Sequence, residues 1–192
     1  MYYFASDMHL GLDYCSSSRD REKVLVRWLD EVSADAEAIF LVGDVFDFWF
    51  EYKRVVPKGF TRLLGKLSEL TDRGVKVHFF PGNHDMWAYD YLHTECGLPL
   101  HHKAEVLDLF GRKVFIAHGD NLYLKTPFKV KVMHWFFRSG FMRWAFATFI
   151  HPNGAIRFGN WWSNKSRKSK RRSHRFGGDR EYLGNFAREK SK

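Results

Sequence analysis

Apolar residues in the first 120 positions occur in two patterns. Within Arg21–Val32 they recur every three or four positions, as on one face of an amphipathic helix. Ala38–Val42 is instead an unbroken apolar run of strand length. The strands predicted in this way are Tyr2–Ser6, Ala38–Val42, Val75–Phe80, Glu105–Leu109 and Val114–Ala117. The predicted helices are Arg21–Val32, Phe60–Leu70 and Met86–Cys96. Strands that alternate with helices favour a layered α/β fold.

An aromatic-rich pattern replaces this alternation after about residue 123. Apolar residues recur at helical spacing as far as Ile150, with a break at Ser139-Gly140, which predicts a pair of helices. A third, short helix is predicted at Ala155–Trp162, and a last one at Asp179–Lys190. Between them lies Lys165–Arg175, which is dense in Lys, Arg and Ser.

Charge divides the chain near the same place. Residues 1–120 contain 14 Lys and Arg against 19 Asp and Glu, whereas residues 121–192 contain 17 against 3. The net charge of +9 therefore combines a slightly acidic first part with a strongly basic second part. Two cysteines cannot form a disulfide framework, and the N-terminus has no long apolar segment of a signal peptide. No apolar run reaches the roughly 18 residues of a membrane span, so we expect a cytoplasmic protein.

Four short polar motifs follow directly after predicted strands. They are Asp7-Met8-His9, Gly43-Asp44-Val45-Phe46-Asp47, Gly82-Asn83-His84-Asp85 and Ala117-His118-Gly119-Asp120. Because strand ends of an α/β sheet converge on a ligand crevice, we expect these motifs to meet. Carboxylates and imidazoles packed together need a counter-charge, and oxygen and imidazole ligands without thiolate suit Mn²⁺, Fe²⁺ or Zn²⁺. Each motif alone is also compatible with a turn or a structural histidine, whereas the ordered set favours a metal centre.

The ordered set resembles the calcineurin-like metallophosphoesterase superfamily. The resemblance implies an α/β fold, a layered β-sandwich flanked by helices, and two divalent metal ions, with Mn²⁺ preferred over Fe²⁺ or Zn²⁺. The residues implied to bind one ion are Asp7, His9 and Asp44. The residues implied to bind the other are Asp44, which bridges the two, Asn83 and His118. The resemblance also implies that His84 acts beside the leaving group or the phosphate, and that Asp47 and Asp85 orient His84 or neighbouring ligands.

A closer resemblance is to the UDP-2,3-diacylglucosamine hydrolases of lipid A synthesis, in the form typical of Bacteroidetes-type bacteria. The stretches that carry it are Leu41–Lys53, Val55–Gly59, His78–Asp85, Ile150-His151-Pro152 and Trp162–Arg167. It implies hydrolysis of the pyrophosphate bond of the UDP-sugar lipid to UMP and 2,3-diacylglucosamine 1-phosphate. The alternatives are another calcineurin-like phosphoesterase, acting on a nucleotide or a phosphoprotein, and a basic nucleic-acid-binding module.

This resemblance also suggests a domain organisation. We expect a metallophosphoesterase core at 1–120, an inserted basic aromatic helical cap at 121–175, and a return to the core at 176–192. The candidates for binding the substrate's phosphates or sugar are Ser163, Lys165, Ser166 and Arg167. Helices with Trp and Phe beside Lys and Arg suit an anionic bilayer surface. Together with the resemblance, they imply peripheral association with the inner face of the inner membrane. The alternatives are that the aromatic helices pack on the core and that Lys165–Arg175 is a solvated loop. We expect a monomer without a nucleic-acid partner.

One motif of the superfamily has no counterpart in the chain. The resemblance implies a Gly-His-x-His motif whose histidines complete the two metal sites. After His118 only His134, His151 and His174 remain, and none forms His-x-His. We therefore expect either a sequence truncated at its C-terminus, with the final strands missing, or a naturally short chain with a damaged site. In both cases we expect weak metal binding and slow turnover by these 192 residues.

Overall fold

The structure is a computed structural model that describes residues 1–13, 16–120, 122, 128, 131–132, 135, 137, 139–170 and 182–190, without the side chains of residues 164–170 and 182. The chain divides into two compact units, Met1–His118 and Gly119–Lys192. Within the described ranges, no helix combines the length and the apolar character needed to cross a bilayer.

A three-stranded parallel sheet with the order β1-β2-β3 lies at the centre of the first unit. The strands are β1 (Tyr2–Ala5), β2 (Ala38–Val42) and β3 (Lys76–Phe80). The helices of this unit are α1 (Ser18–Val32), α2 (Thr61–Asp72) and α3 (Tyr91–Cys96). This alternation of parallel strands and flanking helices confirms the predicted α/β fold. All three strands run in one direction, so the loops that leave them emerge at one edge of the sheet.

The two faces of the sheet are buried against different neighbours. Ile39 and Leu41 point into a core built mainly with leucines of α1, α2 and α3. Phe40 points the other way and packs with Phe80 and Ile116. This alternation follows from the two-residue repeat of a strand, and it explains why β2 is apolar at every position.

The second face is covered by the antiparallel hairpin β4 (Glu105–Leu109) and β5 (Arg112–Ile116). Its turn consists of Phe110 and Gly111, with φ of 56° and 73°. Positive φ at both turn residues matches the twist of a two-residue hairpin. The second strand of this hairpin was predicted to begin at Val114, but it begins at Arg112, which pairs with Leu109. The fourth polar motif therefore follows a hairpin strand and not a strand of the parallel sheet.

Helix α3 begins at Tyr91, so the predicted start at Met86 is wrong. The backbone amides of Tyr89 and Asp90 donate to the Glu51 carboxylate, and the Trp87 carbonyl accepts from the Glu51 amide. These backbone groups are therefore bonded to a neighbouring loop and are not available for helical hydrogen bonds.

Among the described residues of the second unit, helices run over Gly140–Phe149 (α4), Pro152–Lys170 (α5) and Tyr182–Lys190 (α6). Ser139 caps α4 by accepting from the Met142 amide, which confirms the predicted break before Gly140. Helix α5 is longer than the predicted Ala155–Trp162 and includes the start of the basic segment, whose residues 171–175 lie outside the described ranges. The last helix was predicted at Asp179–Lys190. The structure describes it from Tyr182, and residues 179–181 lie outside the described ranges. The predicted domain bounds remain a prediction.

Candidate metal centre

Three of the predicted ligands have a left-handed backbone. The φ angles are 59° at Asp7, 46° at His9 and 53° at Asp44. Residues with a side chain rarely adopt this conformation, and it persists only where surrounding structure enforces it. Here the Asp7 amide donates to the Gly43 carbonyl at 3.1 Å, and the His9 amide donates to the Asp44 carbonyl at 2.9 Å. The loops after β1 and β2 therefore hold each other in conformations that the sequence pattern did not predict.

Two glycines allow these loops to approach closely. A Cβ on Gly43 would overlap the imidazole of His118, and a Cβ on Gly82 would overlap the Asp44 carboxylate and lie 2.7 Å from the Asp44 backbone nitrogen. Gly43 also has a φ of 78°. Both positions therefore require glycine because a side chain would occupy the space of a candidate ligand.

The Asp44 carboxylate lies at the centre of the cluster. Its side chain is 5% exposed, and Oδ1 accepts a hydrogen bond of 2.9 Å from the His84 amide. Oδ2 faces three imidazoles, with Nε2 of His118 at 3.4 Å, Nε2 of His9 at 3.8 Å and Nε2 of His84 at 4.0 Å. One buried oxygen thus has three histidine nitrogens around it, from three different loops.

Two groups of ligand atoms share Asp44. Atoms of His9, Asp44 and His84 lie within 4.8 Å of one another, and so do atoms of Asp7, Asp44 and His118. Two ligands of one ion, each about 2.1 Å from it, stand about 3–3.5 Å apart. The 3.4 Å between Nε2 of His118 and Oδ2 of Asp44 matches this spacing, and the nitrogen and oxygen donors suit divalent ions. Nε2 of His9 also lies 3.8 Å from Oδ1 of Asp7 and 3.8 Å from Oδ2 of Asp44, so the predicted set of Asp7, His9 and Asp44 lies close together too. Which residues would share an ion remains a prediction.

The other predicted residues surround these groups. Asn83 is exposed and lies between Gly82 and His84 in the loop after β3. Asp47 is fully buried, with Oδ1 3.5 Å from Nδ1 of His9 and 3.8 Å from Nδ1 of His84. The first unit thus brings together seven of the residues predicted for metal binding and catalysis, and Asn83 directly precedes one of them, His84, in the same loop. The seven are Asp7, His9, Asp44, Asp47, His84, Asp85 and His118. Their individual roles remain predictions.

Hydrogen bonds to backbone carbonyls orient two of the imidazoles. Nδ1 of His118 lies 3.0 Å from the Val42 carbonyl, and Nδ1 of His84 lies 2.7 Å from the Asp47 carbonyl. Since a carbonyl only accepts, each Nδ1 carries the proton and Nε2 is the nitrogen turned towards Asp44. Metal-binding histidines in proteins commonly have their second nitrogen bonded in this way.

Asp85 anchors the loop that carries Asp44. Its carboxylate accepts from the amides of Gly82 at 2.6 Å, Val45 at 2.8 Å, and Asp44 and Phe46, both at 3.3 Å. Burial raises the pKa of Asp85 to about 7, the Asp44 charge acts in the same direction, and the amide donors oppose it. Burial also acts to raise the pKa of Asp44, but the hydrogen bond from His118 and the charges of His84 and His118 hold it below the usual value. Asp44 is therefore ionised at neutral pH.

Arg21, which belongs to none of the sequence motifs, supports the backbone of His9. Its guanidinium donates to the carbonyls of His9 at 3.0 Å, of Ser16 at 2.7 Å and of Leu12. It therefore fixes the loop between β1 and α1 at three points. A lone arginine at the start of an amphipathic helix gives no pattern from which this role could be predicted.

The candidate substrate-binding residues belong to the second unit. Ser163 is buried in helix α5. Lys165, Ser166 and Arg167 follow on the same helix, and their side chains lie outside the described part of the structure. Their role remains a prediction.

Comparison with known proteins gives one family and several similar relatives. Residues 2–180 match the model of the calcineurin-like phosphoesterase family. A UDP-2,3-diacylglucosamine hydrolase of Porphyromonas gingivalis is 41% identical over 184 residues, which cover 96% of this chain and 67% of that protein. Proteins of the same name from Neisseria meningitidis and Vibrio vulnificus are 36% and 34% identical over 62% of the chain. The matched region spans 48% of the Neisseria protein and 47% of the Vibrio protein.

Proposed function

The chain belongs to the calcineurin-like phosphoesterase family, as the motifs predicted, and from this premise we propose that it hydrolyses UDP-2,3-diacylglucosamine. Water is added across the P–O–P bond, and the products are UMP and 2,3-diacylglucosamine 1-phosphate. Support for the substrate comes from the name of the Porphyromonas relative, which is similar over 96% of the chain. Support for the chemistry comes from the two groups of ligand atoms that share Asp44.

The proposed reaction uses two divalent ions, with Mn²⁺ as the expected metal. Asp7, His9, Asp44, Asn83 and His118 are the residues that would hold them. When bound, such ions polarise a phosphoryl oxygen and make water acidic enough to attack phosphorus near neutral pH. The shared carboxylate of Asp44 is the observation that carries this proposal, because one buried, ionised carboxylate belongs to both groups of ligand atoms.

The remaining residues position the reacting groups. His84 presents Nε2 on the side of Asp44, while its Nδ1–H donates to the Asp47 carbonyl. A second proton, on Nε2, is the one that the ring would donate to the oxygen that leaves phosphorus, or whose charge would stabilise the phosphate. The Asp47 carbonyl holds the His84 ring, and the Asp47 carboxylate lies close to both His9 and His84. Asp85 fixes the backbone of Asp44 through amide hydrogen bonds. The four loops thus form a preorganised frame, which lowers the cost of assembling the transition state.

The second unit provides groups for a lipid substrate. Helix α4 has no buried residue, and its side chains Phe141, Trp144 and Phe149 are all more than half exposed. The net charge of residues 121–192 is strongly positive. We infer that this helix associates with the anionic surface of the inner membrane, on the cytoplasmic side, and that Ser163, Lys165, Ser166 and Arg167 contact the phosphates or the sugar.

A substrate panel tests the proposed reaction. The purified chain with Mn²⁺ is assayed on UDP-2,3-diacylglucosamine in mixed micelles, on UDP-N-acetylglucosamine and on bis(p-nitrophenyl) phosphate. The expected result is slow release of UMP that depends on metal, with the highest kcat/KM on the lipid. Equal or higher kcat/KM on the lipid-free compounds would favour a phosphoesterase acting on a nucleotide or a phosphoprotein instead.

A further inference from the structure

Glu51 is a buried carboxylate with four hydrogen-bond donors around it. Its side chain lies in the loop after β2, and the residue is 8% exposed. Oε1 accepts from the Trp49 indole at 2.9 Å. Oε2 accepts from the backbone amides of Tyr89 at 2.7 Å, Asp90 at 2.9 Å and Tyr91 at 3.3 Å. Both oxygens thus accept hydrogen bonds, and three of the four donors lie at the start of α3.

Helix α3 depends on Glu51 for its N-terminal cap. Asp90 occupies the capping position, but its side chain makes no capping hydrogen bond. The amides at the start of a helix need acceptors, and a carboxylate placed there also interacts favourably with the helix dipole. Glu51 supplies this acceptor from a loop 38–40 positions earlier in the chain.

The same loop runs beside the segment that carries His84. The Trp49 amide donates to the His84 carbonyl at 3.1 Å, and the Glu51 amide donates to the Trp87 carbonyl at 3.3 Å. Nδ1 of His84 lies 2.7 Å from the Asp47 carbonyl. The His84 segment is therefore attached at three successive points to residues 47–51, and the Glu51 carboxylate fixes its far end at α3.

We propose that Glu51 is a positioning residue that sets the location and tautomer of His84 by fixing the segment between β3 and α3. The importance of His84 for hydrolysis rests on the proposed function, whereas the positioning itself does not. Glu22 is another buried carboxylate that caps a helix, since it accepts from the amides of Arg62 and Leu63 at the start of α2. Helix α2 carries no candidate site residue, so Glu22 is a matched control.

Glu51→Gln tests the positioning without using activity. Glutamine keeps the size of the side chain, but its NH₂ group faces amide or indole donors and cannot accept from them. Amide hydrogen exchange at Trp49 should accelerate about tenfold as its bond to His84 opens more often. The ¹⁵N NMR signals of the His84 ring are assigned by their absence in His84→Asn. In Glu51→Gln, these signals should show that the ring has lost its fixed Nδ1–H tautomer. Glu22→Gln should lower the melting temperature about as much as Glu51→Gln does. It should leave Trp49 exchange and the His84 ring signals unchanged.

The shorter Glu51→Asp keeps the charge and provides a second measurement if the glutamine variant does not fold. Aspartate retains some of the amide contacts, so Trp49 exchange should accelerate less, by about threefold. Unchanged Trp49 exchange and an unchanged His84 spectrum in the variant that folds would overturn the proposal. Equal changes in Glu22→Gln would also overturn it, since they would reflect general loss of stability.

A kinetic cycle tests whether the effect on hydrolysis passes through His84. With Mn²⁺ and UDP-2,3-diacylglucosamine, Glu51→Gln should lower kcat about tenfold and change KM much less, as expected for a displaced proton donor. In a His84→Asn background, the same change should have little further effect on kcat. Additive losses would contradict a role through His84. Absence of hydrolysis by the unmodified chain would contradict the proposed function, while the exchange and NMR measurements would still decide the positioning.

Discussion

The backbone amide of His84 donates a hydrogen bond of 2.9 Å to Oδ1 of Asp44, although 40 positions separate the two residues. This bond joins the loop after β3 to the loop after β2. The two oxygens of Asp44 therefore have different partners. Oδ1 accepts from the His84 amide, and Oδ2 faces the imidazoles. The centre is thus built by loops that lie against one another, and it should be sensitive to small changes of backbone spacing.

Gly82→Ala should disrupt the centre through one methyl group. A Cβ at this position overlaps the Asp44 carboxylate and comes within 2.9 Å of the His118 ring. We expect a loss of about 2–4 kcal/mol in the free energy of unfolding, because the clash involves backbone as well as side-chain atoms. Urea denaturation measures this loss, and Mn²⁺-induced stabilisation should disappear in the same variant.

Gly65→Ala is the matched control for this substitution. Gly65 lies in helix α2, and a Cβ there meets nothing within 4 Å. Alanine should raise the free energy of unfolding by about 0.5–1 kcal/mol, since it restricts the unfolded chain and favours the helix. Equal stability of the two variants would contradict the close approach of Gly82 to Asp44.

The sequence was sufficient to predict the strand ends and the residues that meet there. The runs at Ala38–Val42 and Val75–Phe80 are strongly apolar, and Asp44 and His84 follow them closely, so their convergence follows from a parallel sheet. The α/β fold and the clustered residues could therefore be predicted from spacing and from family resemblance.

Features that depend on long-range hydrogen bonds could not be predicted from the sequence. The positive φ at Asp7 and His9 results from backbone bonds to Gly43 and Asp44, which no local pattern encodes. The late start of α3 has a similar origin, since Glu51 takes the amides that a continuous helix would use. Tertiary contacts override local helical periodicity in such segments.

The pH dependence of stability should depend on His78, which lies outside the metal centre. Its Nδ1 is 2.9 Å from Nε2 of His101, whose Nδ1 is 2.8 Å from Glu105. Burial lowers the pKa of His78, the charge of His101 acts in the same direction, and Glu105 opposes it. The unfolded chain therefore binds a proton at this position more readily than the folded chain. Stability due to neutral His78 is present above the unfolded pKa of about 6.5 and is lost as pH falls below it.

Replacing His78 with Phe tests this assignment. Phenylalanine keeps an aromatic ring against Phe40, on which His78 stacks with a centroid distance of 4.9 Å, and it cannot titrate. The melting temperature should fall less between pH 7.5 and 5.5 for His78→Phe than for the unmodified protein. These two pH values bracket the ordinary histidine pKa of about 6.5. His102→Phe, at an exposed position, serves as the control. An undiminished fall in His78→Phe would show that other groups cause the acid sensitivity.

Removal of exposed aromatics from α4 should weaken membrane binding. Phe141 and Trp144 are 65% and 56% exposed, and their rings lie 5.8 Å apart. The double variant Phe141→Gln/Trp144→Gln should bind vesicles containing phosphatidylglycerol about tenfold more weakly, because two aromatic anchors are lost from the interface. Sedimentation with vesicles measures the change. Phe115→Gln removes an exposed aromatic from the first unit and should leave binding unchanged. Equal binding of all three proteins would contradict association through α4.

The most direct test of the account is electron paramagnetic resonance of Mn²⁺ bound to the 192-residue chain. Two ions that share the Asp44 carboxylate should couple magnetically, so titration should replace the spectrum of isolated ions with that of a coupled pair. The variant Asp44→Asn should give isolated ions only. A coupled pair that persists in Asp44→Asn, or isolated ions alone in the unmodified chain at saturation, would contradict a two-metal centre built on Asp44.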